Sequence, residues 1–430
     1  METDITFWLS PNAKQRECRL YDTIIKPYFH QNDNSLSKTC PFSFKRIGDK
    51  INASHNNIFL MAVTDRYYSR TGSLEQLDIS VDLEYIKRAY GNGMKCVIDY
   101  SWEASGLNIK SMDFWKTNKD IIQKYEIQLL TNASSQHNFK LESGKDFFLR
   151  FNLFQYEVRK TNSYQNIDYH LNTYSCRKED KKHFFNFFVG DINKFKNVLT
   201  MSSYFKRNLD KHSIYSSVIG SNTHSIELYH GHLIHYMENL DNNKKYIQQD
   251  ILDTFSYLEE HEDEIIAHMP FERYEGFPEF DVNGSNGSNS NERRIPQLAH
   301  ECHLWGVVET LCVPDIIHHT EKTFKPISAG APFMILGSKN QNTDLKRFGY
   351  EIFDEIIDYR FEQEKTNASW LDYTGAVIEG YFNEMERLIK EGPEIFYIPS
   401  VKEKCEWNKY NFEKLTTKDN LEKELKSLFS

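Results

Sequence analysis

Short, continuous apolar runs alternate along the chain with stretches whose apolar residues recur three and four positions apart. NIFLMAVTD (57–65) is an apolar run bounded by polar residues, the mark of a buried strand. DLEYIKRAY (82–90) has helical spacing, and Gly91-Asn92-Gly93 ends it, because such residues enter left-handed conformations at little cost. KCVIDYSWE (95–103) reads as a strand that ends in Asp99 and Glu103. FWKTNKDIIQKY (114–125) then reads as a helix and EIQLLTNAS (126–134) as the next strand. Strand, helix, strand, helix, strand is the signature of a parallel sheet with crossover helices. FFLRFNLFQYEVR (147–159) extends it by a strand or two. The first 55 residues are polar and turn-rich, and residues 160–182 form a polar linker.

The pattern restarts at HFFNFFVGD (183–191), a strand leading through a glycine turn into the helix INKFKNVLTMSSYFKRNL (192–209). Residues 241–268 are helical and acidic. Residues 280–294 (FDVNGSNGSNSNERR) are low in complexity and read as a flexible loop. HLWGVVETLC (303–312) is a buried strand ending in Glu309-Thr310. HHTEKTFKPISAGAPFMILGS (318–338) reads as loop, helix, glycine turn and strand. RFGYEIFDEIID (347–358) repeats a strand-and-loop pattern, and the remainder is helix-rich. The expected fold is α/β with two Rossmann-like domains facing across a cleft. The expected boundaries are 1–180 and 181–395, with a helical segment, 396–430, packing back on the N-terminal domain.

Composition narrows the classes. The 430 residues carry a net charge of −10, which argues against a surface that grips nucleic acid or anionic membrane as a whole. Mean hydropathy is −0.64, and no apolar run approaches the ~18 residues a membrane helix needs. The N-terminus lacks the basic region and apolar core of a secretory signal, so a cytoplasmic protein is expected. Seven cysteines, none in a Cys-x-x-Cys pair, read as reduced thiols. His230, His232 and His235 lie close together but have no flanking Cys or His-Glu-x-x-His pattern, so no metal site is expected. Serine-elbow, Walker A and dinucleotide glycine motifs are all missing from the sequence.

Candidate chemistry concentrates in 318–338. Thr320 is a plausible N-cap, with Glu321 and Lys322 in the first turn. A helix N-terminus offers N–H groups and a positive dipole end to phosphate. There Lys322 can neutralise a diphosphate and Glu321 can accept hydrogen bonds from a ribose diol. Pro326 suggests a kink or a delayed start, and Gly330 closes the helix. In the earlier strand-to-helix turn, Gly190 permits close backbone approach, and Lys194 or Lys196 could bind phosphate. Asp99 and Glu103 lie past the carboxyl end of a strand, the edge where open α/β sheets bind ligands.

The 318–338 segment resembles the Thr-Glu-Lys signature in the donor domain of fucosyltransferase-like GT-B glycosyltransferases. It is similar, more closely, to a set of virus- and phage-encoded GT-B-like proteins. These share Thr-Glu-Lys-Thr-Phe-Lys-Pro, then Pro-Phe, then Gly-Phe/Tyr-x-x-Phe, matched here by Gly349, Tyr350 and Phe353. The resemblance is strict over that segment and loose over the second half of the chain. It implies a metal-independent glycosyltransferase, hexosyl- or fucosyltransferase-like, without a cofactor, that uses a UDP- or GDP-linked sugar as its donor substrate. The donor site would be Thr320, Glu321 and Lys322, with Glu309-Thr310 matching a Val-Glu-Thr strand end. Gly190, Lys194 and Lys196 would face the pyrophosphate; related proteins often have an Arg near that place, and Lys lacks its bidentate fork. Inverting transfer would need a carboxylate base, for which Glu103 and Asp99 are the candidates. The acceptor would be a glycan, a protein or a hydroxymethylated DNA base. Two other readings remain: a GT-B-like binding or structural protein without turnover, and a nucleotide-binding α/β enzyme of another class.

Overall fold

The computed structural model describes residues 5–10, 20, 28, 41–46, 57–62, 79–100, 113–135, 140–164, 177–191, 195–218, 256–257, 260–261, 300–314, 316–363 and 370–429. The chain divides into two compact units. Unit 1 comprises Met1–Lys160, Asp315–His319 and Phe412–Ser430, and unit 2 comprises Thr161–Pro314 and Thr320–Asn411. Each is an α/β unit built on a parallel sheet.

Unit 1 holds β1 (Ile5–Leu9), β2 (Phe42–Arg46), β3 (Asn57–Ala62), β4 (Lys95–Asp99), β5 (Gln128–Thr131), β6 (Ala133–Ser135) and β7 (Phe148–Arg150). Six of these form one sheet in the order β2-β1-β3-β4-β5-β7, and every pairing is parallel. Strands buried on both faces need apolar residues at successive positions. Ile58, Phe59, Leu60 and Met61 meet that need. Helices α1 (Leu83–Gly91) and α2 (Asp113–Lys124) are the crossovers expected.

Three expectations need correction. The polar first segment contributes β1 and β2, and β1 pairs with both β2 and β3 inside the sheet. FFLRFNLFQYEVR yields one strand, β7, and then helix α3 (Leu153–Tyr164). Phe154, Tyr156 and Val158 alternate as in a strand, yet all are buried from a helix. RFGYEIF forms no strand. The Asn408 side chain takes both backbone groups of Glu351, accepting from its N–H at 2.7 Å and donating to its carbonyl at 2.9 Å. A side-chain amide thus stands where a neighbouring strand would have been.

Unit 2 holds β8 (His183–Asp191), β9 (Ser213–Val218), β10 (Cys302–Val308) and β12 (Phe333–Leu336), in the order β12-β10-β8-β9, again all parallel. Its longer helices among the described residues are α4 (Phe195–Lys206), α5 (Glu321–Ala329), α6 (Trp370–Glu391) and most of α7 (Pro399–Leu415). The core is aromatic: Tyr204 stacks on Phe187 at 4.8 Å, and Phe382 of α6 meets Phe187 edge-on at 5.5 Å. Short strand β11 (Ile316–His318) belongs to unit 1, where it pairs antiparallel with β6. The last helix, α8 (Lys418–Phe429), also belongs to unit 1: Phe429 meets Phe7 edge-on at 5.3 Å and Tyr156 Oη donates to Glu424 at 2.6 Å. No helix among the described residues is long and apolar enough to cross a membrane. Residues 280–294, the 230–236 histidines and most of 241–268 lie outside the described residues.

Gly306 sits in β10 where space is tightest. A Cβ there would stand 2.6 Å from the Asn186 carbonyl oxygen and 3.0 Å from Tyr381 Oη. Because the first neighbour is backbone of the paired strand, the sheet itself must give. Gly306→Ala is expected to destabilise by about 1–3 kcal/mol in a urea titration. An unchanged midpoint would show that β8 and β10 are further apart.

Candidate functional site

In unit 2 the topology itself singles out one place. From β8 the chain goes to β9 on one side and to β10 on the other. The strand order therefore reverses between β8 and β10. Open parallel sheets bind ligands at the carboxyl ends of the strands flanking such a reversal. Those ends are Gly190-Asp191 and, just past β10, Glu309-Thr310. Gly190 is the extra residue of a bulge: Val189 pairs with Ser217 and Asp191 with Val218. An unpaired residue without a Cβ suits that position.

Helix α5 begins at the same edge. Thr320 is its N-cap, in extended conformation, and its Oγ1 accepts from Lys322 N at 3.3 Å. Glu309 anchors this start. Its side chain is wholly buried. One carboxylate oxygen accepts from Thr320 N at 2.9 Å and from Thr323 Oγ1; the other accepts from Thr320 Oγ1 at 2.7 Å and Thr310 N at 3.1 Å. A buried carboxylate at the positive end of a helix, with four donors, is well compensated. Pro326 neither delays the helix nor divides it, and Gly330 closes it at φ 69°.

The outer side of the anchor is cationic. Lys322 Nζ lies 3.3 Å from Thr310 Oγ1 and 3.7 Å from a Glu321 oxygen, and both charged side chains remain partly accessible. Lys196, in the first turn of α4, is buried, and its ammonium donates to the Glu309 carbonyl oxygen. Its charge supports the end of β10 from within. The structure thus brings Thr320, Glu321, Lys322, Glu309, Thr310 and Lys196 together. Of these, Glu321, Thr310 and Lys322 are the accessible part, whereas Glu309 and Lys196 are buried support. Lys194 lies outside the described residues.

In unit 1, Asp99 ends β4 and is buried, its carboxylate accepting from Leu20 N at 3.1 Å. Glu103 lies outside the described residues. His318 is in β11, paired with Ala133. The strand order of this sheet reverses between β1 and β3. Beside that reversal Ser10 Oγ, just past β1, donates to Asp82 at 2.6 Å. Sequence reasoning missed Ser10 and Asp82 because β1 was not recognised. It also missed Thr323, whose only signal was a second threonine one helical turn after the cap. Among the described residues no group of histidines, cysteines and carboxylates could hold a metal ion.

No family model matches the chain, and no curated protein matches it. Among solved structures it is similar to the α,α-trehalose 6-phosphate synthase of Burkholderia multivorans, at 7% identity and a TM-score of 0.39, over 100% of this chain and 99% of that one.

Proposed function

We propose that the protein is a glycosyltransferase that holds the diphosphate of a nucleotide sugar at the N-terminus of α5. The observation that carries this reading is the Glu309 anchor: it fixes a helix N-terminus at the reversal point of a parallel sheet, with Lys322 on its accessible side. Anions at such a terminus meet N–H groups and a positive dipole end. Lys322 supplies a full positive charge, and Glu321, 3.7 Å away, is placed to accept from ribose hydroxyls. In the reaction the acceptor oxygen bonds to the anomeric carbon as the bond from that carbon to the diphosphate oxygen breaks. The acceptor proton passes to a carboxylate base, and the nucleoside diphosphate leaves with the electron pair. Its growing negative charge is met by Lys322 and the helix terminus. Thr310 orients Lys322, and Gly190 keeps the neighbouring strand end open to a close approach.

The test is a thermal-shift screen with UDP, GDP and their sugar conjugates, on the parent and on Lys322→Ala and Glu321→Ala. A ligand at ~100 times its dissociation constant stabilises by about 2.7 kcal/mol. One nucleotide class is expected to stabilise the parent, and both variants to lose the shift while keeping the ligand-free midpoint. A parent that no nucleotide stabilises overturns the reading. A second reading, nucleotide binding without turnover, is favoured by one observation: the Lys196 ammonium is spent on the Glu309 carbonyl rather than offered to phosphate. Donor hydrolysis separates the two, since a binding protein releases no free sugar.

A further inference from the structure

We infer that unit 1 carries a second ligand site, at the amino ends of β4, β5 and β7, which takes a small aromatic anion. A cavity of about 960 Å³ opens there. That is the size of a small-molecule site, far more than an inorganic ion fills. Lys95 and Gln128 begin β4 and β5, Phe148 begins β7, and all three line it. Asp99 is at the other end of β4, about 13 Å along the strand at ~3.3 Å per residue. The cavity is therefore separate from the sheet edge considered for Asp99, and it is independent of the nucleotide reading.

Two features of the lining set the ligand class. The first is an aromatic wall over a floor of buried apolar residues. Met94, Cys96 and Phe148 are buried beneath it, and Tyr90 meets Tyr125 edge-to-face at 5.7 Å. Tyr90 is nevertheless 41% exposed, a large ring left open at the cavity wall. Flat apolar bodies pack on such rings. The second is an excess of positive charge. Lys95, Lys145 and Arg150 face Glu126 and Asp146. Both carboxylates are engaged: Glu126 is bonded to Lys145, and Asp146 lies 3.9 Å from Lys140, a further cation.

Helices α1 and α2 end here, and open helix carbonyls would repel an anion. They are closed instead. Ala89 O accepts from Asn92 N and Met94 N, and Ile122 O accepts from Ile127 N. Lys95 is half-buried and donates to the Phe429 carbonyl at 2.9 Å. Burial and the nearby Lys145 both hold its amine below the usual lysine range. A negative group seated among Lys95, Lys145 and Arg150 relieves that strain, and an aromatic body reaches Tyr90.

The probe is 8-anilinonaphthalene-1-sulfonate, followed by fluorescence, beside the neutral N-phenyl-1-naphthylamine. The expected result is saturable binding of a single sulfonate per chain, weakened about tenfold or more in Lys145→Met and in Arg150→Met. Both side chains are exposed, so the variants should keep the parent's thermal midpoint, and that midpoint is measured alongside. The neutral probe should bind the parent at least about tenfold more weakly and should not respond to the substitutions. Equal sulfonate affinity in parent and variants overturns the proposal, as does no saturable binding or a neutral probe that binds as tightly. Nucleotide-induced thermal shifts should be the same in Arg150→Met as in the parent, so failure of one reading leaves the other readable.

Discussion

Replacing Glu309 by alanine is expected to cost about 3–5 kcal/mol of unfolding free energy, the range for removing one partner from a buried charged network. The carboxylate is fully buried and serves four donors: Thr310 N, Thr320 N, Thr320 Oγ1 and Thr323 Oγ1. Its loss leaves two backbone N–H groups and two hydroxyls without their acceptor, and those of Thr320 and Thr323 are buried. Each orphaned donor costs about 1–3 kcal/mol, although a hydroxyl can rotate toward another acceptor. Glu309→Gln is the finer probe. One oxygen is kept for Thr320 N and Thr323, but the new amide N–H₂ confronts Thr310 N, donor against donor, and forces the Thr320 hydroxyl to turn from donor to acceptor. An intermediate loss is expected, with the start of α5 displaced. Urea titration measures both variants. If Glu309→Ala unfolds at the parent's midpoint, the anchor is wrong, and so is the rigid helix start on which the nucleotide site depends. If Glu309→Gln folds well but no longer responds to nucleotide, its part is to position Lys322 and not to touch the ligand.

Much of this site was legible because its parts are local. Thr320, Glu321 and Lys322 follow one another, and a cap with its first turn is decided within four residues. What Glu309 does was not legible. Its partners come 11 and 14 residues later, and only burial separates a residue that contacts a ligand from one that supports the contact. Lys196 is the same case across 113 residues. The fold divides in the same way. Strands β3, β4, β8 and β10 read as apolar runs because parallel strands are covered on both faces. Strand β1 is only ITFWL, and its place in the sheet is set by partners at Phe42 and Asn57, far along the chain. RFGYEIF reads as a strand by its alternation. It is kept out of a sheet by Asn408, 57 positions away, which no local pattern announces.

Between pH 5 and pH 8 the parent is expected to lose stability relative to Glu362→Gln as pH rises. Burial lifts the Glu362 carboxyl from 4.5 to about 8, against the opposing pull of hydrogen bonds from Asn342 and Thr343. The folded chain therefore holds a proton that the unfolded chain has released above pH 4.5. Stability from this group is fully present below that value and falls as pH rises through the folded value near 8. The slope approaches about 1.4 kcal/mol per pH unit, and the whole loss is on the order of 5 kcal/mol.

Geometry places the proton. One oxygen accepts from Asn342 N at 2.7 Å and from Asn342 Nδ2. The other is buried without a hydrogen-bond partner among the described residues, so the proton belongs there. Glutamine keeps the first oxygen and puts an uncharged N–H₂ in the place of the second. It should match the parent at pH 5 and exceed it at pH 8. Asn342 transmits the effect, since its side chain accepts from Ile335 N at 3.0 Å and donates to Ile335 O at 2.9 Å, closing the outer edge of β12. Ionised Glu362 thus puts an uncompensated charge behind the amide that seals this edge strand. Thermal midpoints of the two proteins at pH 5 and pH 8 decide the matter: parallel profiles would mean that the carboxyl is ionised in the folded chain, with water or a cation at its second oxygen.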